Sequence, residues 1–468
     1  MKALLTAVAL SLVVGVTLVA PRDAAGALVV VGVLGLGAGY LVSRAGEDRR
    51  FLLHIFVGGL IVRVAIGTII FALHLQAFFG GDAYTYDFLG ALVLQSWRTG
   101  VPLVLAGRAQ LDVGWGMAYF VAMIYYIAGQ NMLAVQFANA VLGAATAPVI
   151  YVCAHRIFGN LRVARVSALF VAFYPSLVLW SSQGLKDGPM VFMLALAVMA
   201  ALRLDEKLKV KYLLMLIAAL VGIVSLRFYV FYMMIAAVGG AFLIGMKAMS
   251  AQSLARQVII VAALGLAMTY LGVLRNAGAV MDRYDTLEEV QRSRADLATS
   301  ANSGFGKDVD VSTTSGALSS IPLGVIYLLF APFPWQLASL RQSITLPEMI
   351  VWWASFPMLC AGLWFTLKHR MRQSLPILIF TLMLTLAYSV FQGNIGTAYR
   401  QRSQLLIFYF IFVSVGYELL RERREDGKRK VGVEKLKMQQ AALRGAARRK
   451  QAQEWETIAD SLSEKIGF

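Results

Sequence analysis

Long apolar runs, separated by short basic clusters, recur from one end of the chain to the other. Runs near 20 residues have the length a helix needs to cross a bilayer. They predict spanning helices at about 3–20, 25–43, 51–75, 131–153, 164–182, 188–203, 211–226, 228–247, 256–274, 348–367, 374–392 and 403–420, about twelve in all. The period-2 alternation of a membrane barrel is absent. The expected fold class is an all-α polytopic membrane protein.

Two further apolar segments, 113–128 and 321–335, do not fit that count. Bases collect on the cytoplasmic side of membrane proteins. If neither segment spans, every basic cluster falls inside: Arg44/Arg49/Arg50, Arg156/Arg162/Arg165, Arg203/Lys207/Lys209/Lys211, Lys247/Arg256 and Lys368/Arg370/Arg372. Both segments are short, and the second carries Pro322, Pro332 and Pro334. We therefore expect two juxtamembrane helices on the outer face, with both termini cytoplasmic. Cleavage of 1–20 as a signal peptide would leave this sidedness unchanged.

The expected organisation is a membrane domain at 1–420 and a basic cytoplasmic helical tail at 421–468. The outer face holds a first loop at 76–112 and a long polar loop at 275–320. In the latter, "RYDTLEEVQRSRADL" reads as a short surface helix and "ATSANSGFGKDVDVSTTSG" as a mobile stretch.

Composition sharpens the picture. The chain of 468 residues is 59% hydrophobic with a formal net charge of +17. Positive-inside loops account for that charge without nucleic acid, and the tail mixes acids with its bases. The tail suits anionic headgroups or a cytoplasmic synthesis partner. Cys153 and Cys360 suggest neither a disulfide framework nor a zinc site.

The informative charges sit on the outer side, against the bias. Asp82 and Asp87 lie in "FFGGDAYTYDFLG", where Gly80 and Gly81 permit a sharp turn. A carboxylate in an aqueous cleft there takes a proton from an attacking hydroxyl; alternatively Asp82 caps a helix. Tyr86 shares a face with Gly90. Lys186 and Asp187 sit in "GLKDG", Arg227 in "SLRFYVFY", and Arg400 and Arg402 in "TAYRQR". These bases form a candidate cradle for a pyrophosphate or phosphate, since arginine binds phosphate oxygens bidentately and lysine acts as a point charge. Snorkelling to headgroups, or pairing with Asp187, is the alternative. Arg63 lies mid-helix in "GGLIVRVAIG", where a charge is costly unless it faces protein or water.

"GGDAYTYDFLGALVLQSW" resembles the GD-x-x-x-Y stretch of superfamily-C (GT-C) glycosyltransferases. The run from "MIYYIAGQNMLAVQF" through "AHRIFGN" to "FYPSLVLW" is similar to the same group, in particular to bacterial members of the protein mannosyltransferase and aminoarabinose transferase-like group. The similarity covers roughly 50–230 and continues weakly through "PFPW" and "GTAYRQR". It implies a GT-C-like fold with outer juxtamembrane helices and a first-loop acid, here Asp82, central to catalysis. It also implies a polyprenyl-phosphate-linked sugar donor, a glycan or glycolipid acceptor, inversion at the anomeric carbon, and a bacterial inner membrane. Ala83 follows Asp82 where many members carry a second acid, which leaves the acceptor open. No cofactor is required by the sequence; a divalent metal is compatible with Asp82. A polymerase or ligase acting on polyprenyl-pyrophosphate glycans, and a flippase or transporter, are the rival readings.

Overall fold

The computed structural model describes residues 2–45, 48–101, 115–206, 208–244, 286–299, 303–337 and 339–426, with 434–435 and 438–439. The described residues are helical throughout, apart from turns and one isolated bridge between Gly304 and Asn394. The chain divides into the units Met1–Val415 and Gly416–Phe468.

The first unit begins with α1 (Lys2–Val19), α2 (Ala24–Ser43) and α3 (Arg49–Ala72). α4 (Asp82–Thr99) and α5 (Trp115–Ala128) follow and pack together. α6 (Met132–Phe158) is the hub, packed against α2, α3, α7 (Leu161–Phe173) and α9 (Asp187–Glu206). Its start is set by Asn131, whose side chain accepts from Ala134 N at 2.9 Å, and its end by Gly159 in the left-handed region. Alanine at 134, 138, 140, 144, 147 and 154 leaves its neighbours close to its backbone, the usual route to tight helix packing in lipid.

Gly143 shows how tight that packing is. A β-carbon there would overlap the Ser181 side chain and lie 2.8 Å from Arg63 Nε. Gly143→Val should therefore cost about 1–3 kcal/mol by overpacking. Thermal unfolding of the purified protein in detergent checks this.

Among the described residues, seven helices are long and apolar enough to cross a membrane, or eight if one bent pair counts as a span. The bent pair corrects the straight helix expected at 164–182. α7 and α8 (Pro175–Ser181) meet at 53°. Pro175 has no N–H to bond and disfavours helix at Tyr174, which is extended at φ −66°, ψ 125°. Helices also stand where three further spans were expected, but as shorter apolar pieces: Leu5–Val19, α10 (Val210–Leu226) and α11 (Phe228–Ile244). The expected span at 256–274 lies outside the described residues.

The break explains Arg63. Its Nη1 donates to Ala172 O at 2.7 Å and Gly59 O at 3.1 Å, Nη2 to Val171 O at 3.3 Å, and Nε to Ser181 Oγ at 2.8 Å. The carbonyls of Val171 and Ala172 are those a helix end leaves without an intrahelical partner. A cation there also complements the helix dipole. The buried charge in α3 is a cap for α7.

Further along the chain are α12 (Leu287–Thr299), α13 (Thr314–Phe330), α14 (Leu340–His369), α15 (Met371–Phe391), the short α16 (Ile395–Gln401) and α17 (Ser403–Asp426). α13 starts seven residues earlier than the segment read at 321–335, because Thr313 Oγ1 accepts from Gly316 N and caps it. It ends ahead of Pro332 and Pro334. The described part of the loop read as mobile is tied down: Phe305 N donates to Gly393 O at 2.8 Å and Ile395 N to Ser303 O at 3.0 Å. Arg294 Nη1 reaches from α12 to the carbonyls of Val390 and Gln392, both at 2.8 Å.

Of the second unit, the described residues include Arg421, whose Nε pairs with Glu425 at 2.8 Å. Most of the expected tail helix lies outside the described residues.

Candidate active site

Four segments far apart in sequence meet in one place. The first is the head of α4. Gly80 and Gly81 take φ values of +135° and +76°, which only glycine adopts freely, and the chain turns there to put Asp82 at the first position of the helix. The second is the turn between α8 and α9. Asn139 of α6 holds it, donating to Gln183 O at 2.6 Å and Leu185 O at 2.7 Å. Lys186 and Asp187 follow. The third is the junction of α10 and α11, where Arg227 is extended. The fourth is α16, whose start is capped by Asn394 through Gly396 N at 2.8 Å and Thr397 N at 3.2 Å.

The charges form a chain. Arg227 Nη2 donates to Asp187 Oδ1 at 3.0 Å. Arg400 Nε donates to Asp187 Oδ2 at 2.6 Å, and Arg400 Nη1 to Asp82 Oδ2 at 2.5 Å. Asp187 is fully buried, whereas the Asp82 side chain is 46% exposed. Asp187 thus fixes two guanidinium groups side by side, and Asp82 lies at the open end. Arg227 Nη1 donates to the Tyr229 hydroxyl, 2.9 Å away. Among the described residues, Arg227 Nε has no hydrogen-bond acceptor, so a donor remains on that group, while Arg400 Nη2 lies 2.6 Å from Asp187 Oδ2.

These residues open on a cavity of about 700 Å³. Asp82, Lys186, Arg227 and Arg400 line it together with Phe78, Trp180 and Tyr399. Burial, then the positive charge of Arg227, pushes Lys186 down to about 8 against the opposing pull of Asp187. Tyr86, one turn along α4 from Asp82, is pushed up to about 12 by burial and by the charges of Asp187 and Asp82, so it stays a neutral donor.

Two expected site residues are placed elsewhere, for a geometric reason. Residues two or five apart on a helix face different directions. Arg402 turns away from Arg400 and donates to Leu329 O at 2.7 Å and Ala331 O at 2.8 Å, buried in the protein. Asp87 turns away from Asp82 and accepts from the Tyr125 hydroxyl at the α4–α5 contact. Arg63 is the cap described above.

Sequence reasoning missed several neighbours. Trp180 lies under Arg400, 5.7 Å from ring centroid to guanidinium carbon. Tyr399 donates to the buried carboxylate of Glu348 at 2.8 Å. Arg341, at the head of α14, also lines the cavity. Only "TAYRQR" carried a signal for any of these, since Tyr399 precedes Arg400.

Among the described residues, no group of three or more His, Cys, Asp or Glu side chains is placed to hold a metal ion. Among the described residues, Asp82 is the carboxylate that lines the cavity, and Arg400 lies against it.

Residues 112–272 match the family model for dolichyl-phosphate-mannose-protein mannosyltransferases. The match bears out the superfamily-C resemblance and supports a membrane glycosyltransferase. It includes Lys186, Asp187 and Arg227, while Asp82 and Arg400 lie outside it. No curated protein matches the chain. Two solved structures of an oligosaccharyltransferase from the archaeon Archaeoglobus fulgidus match over 79% of this chain and 51% of theirs, at 11% identity and a TM-score of 0.43. One is the apo form; the other holds an inhibitory peptide and a dolichol-phosphate. The chain spans about half the length of these structures.

Proposed function

We propose that this protein transfers a sugar from a polyprenyl-phosphate donor to a lipid or polysaccharide acceptor on the outer face of a bacterial inner membrane. The observation that carries the proposal is the Asp82–Arg400–Asp187–Arg227 chain beside Lys186 in one cavity.

Lys186, Arg227 and Arg400 receive the donor phosphate. As the phosphate takes up Arg400, Asp82 is released to face the acceptor. The acceptor hydroxyl oxygen forms a bond to the anomeric carbon, and the bond from that carbon to the phosphate oxygen breaks. The hydroxyl proton passes to Asp82, and polyprenyl phosphate leaves. Attack opposite the leaving group inverts the anomeric centre. The arginines stabilise the charge that develops on the departing phosphate, where fixed donors are most effective. Tyr86 and Asp187 keep the groups in place without reacting.

The test is a comparison of wild type with Asp82→Asn at matched membrane levels, in which polyprenyl-linked sugars and surface glycans are both extracted. Accumulation of a lipid-linked donor with loss of a glycan supports the reading. Identical profiles would leave Asp82 without a catalytic role.

Lys186 gives a pH signature. Only its protonated amine attracts phosphate, and the proton is lost near pH 8. Donor KM should rise roughly tenfold between pH 7 and 9.5, the scale of one charge-assisted hydrogen bond. Lys186→Arg keeps its charge over that range and should flatten the profile. Steady-state kinetics across the pH range check both.

A further inference from the structure

Among the described residues, four bases line the cavity: Lys186, Arg227, Arg341 and Arg400. Two of them, Arg227 and Arg400, are already committed to the carboxylates of Asp187 and Asp82. Among the described residues, no carboxylate pairs with the other two. Lys186 lies in the turn between α8 and α9, beside the paired arginines. Arg341 lies on another wall, in the first turn of α14, with its guanidinium carbon 5.5 Å from the centroid of the Phe78 ring. The ring holds the guanidinium plane while its N–H fork stays open. Leu340 and Ile344 flank it and are exposed, and the uncharged polar residues Ser339, Gln342 and Thr345 line the cavity beside it.

A single phosphate held by Lys186 and the arginine pair leaves Arg341 unanswered. We propose that Arg341, seated on Phe78, is a second anion subsite, which receives a second phosphate or a carboxylate of the substrates. This rests on the donor-phosphate reading above and extends it: the substrates together bring two anionic groups. The second comes either from a diphosphate on the donor lipid or from an acidic acceptor. Arginine suits either, because its fork matches phosphate and carboxylate oxygens in pairs.

The test uses the full chain in nanodiscs of uncharged lipid, comparing wild type, Arg341→Gln and Arg341→Lys. In one arm, farnesyl phosphate and farnesyl diphosphate are titrated, two probes with the same tail. In the other, glucose 1-phosphate and glucuronate are titrated with farnesyl phosphate saturating, and again without it. The repeat without lipid keeps Arg341 under test even if the protein takes no lipid phosphate, a result that would overturn the donor reading alone. We expect Arg341→Gln to leave farnesyl phosphate affinity within about twofold and to weaken the second anion about tenfold, with Arg341→Lys between. Loss of the diphosphate preference assigns the second charge to the donor. Loss confined to the soluble anions assigns it to the acceptor. If no arm depends on Arg341, or if farnesyl phosphate weakens as much as the others, there is no second subsite.

Discussion

Asp187→Asn loses about 3–5 kcal/mol of folding stability, the cost of removing one partner from a buried ion pair. The substitution keeps shape and removes only the charge. It leaves the guanidinium groups of Arg227 and Arg400 adjacent, mostly buried and without the carboxylate that separates them. Lys186 adds a third positive charge nearby. Thermal unfolding of the purified variant measures the loss. Removing one of the stranded cations should restore part of it, so Asp187→Asn combined with Arg400→Gln should be more stable than the sum of the two single changes. Residues in one network couple by about 0.5–3 kcal/mol. Strict additivity would mean that Arg400 does not depend on Asp187.

Arg400→Gln should have the largest effect on turnover. Among the described residues, Arg400 is the one that touches both carboxylates, and its side chain is 15% exposed, enough to meet a ligand but too little for water to screen it fully. A fixed donor at a developing charge contributes about a hundred- to a thousandfold to rate. We expect kcat to fall on that scale and donor KM to rise with it. Arg402→Gln is the informative contrast. Arg402 holds the main-chain carbonyls of Leu329 and Ala331 at the end of α13 and is not among the residues that line the cavity. Its loss should lower stability, with donor KM unchanged in the protein that folds.

The helical membrane architecture was legible because length and apolarity alone decide whether a segment can span, and those are local properties. The boundaries of α2, α3, α6 and α9 fall near those read from the sequence. The bend at Pro175 was also written there, but its consequence was not. Arg63 lies more than 100 residues from the carbonyls it caps, so nothing local connects them. The earlier start of α13 at Thr313 was a capping signal overlooked inside a polar stretch.

The site was legible in part. Charges on the outer side of helix ends marked Asp82, Lys186, Asp187, Arg227 and Arg400, which the fold brings together. The same rule also marked Asp87 and Arg402, because proximity in sequence carries no information about which way a helical side chain points. Arg341 was passed over since one base at the start of a long helix looks ordinary until the cavity around it is seen.

The central claim is that Asp82 acts in the chemistry while the bases beside it hold the donor. One measurement separates these roles: affinity for the donor's lipid phosphate and rate of sugar transfer, determined side by side on purified wild type and Asp82→Asn in bilayers. A general base contributes about 10²- to 10⁴-fold to rate. The account predicts a loss of transfer on that scale, with donor affinity held within a few-fold or increased, because Arg400 is freed. Unchanged transfer, or an equal loss of both, would contradict it.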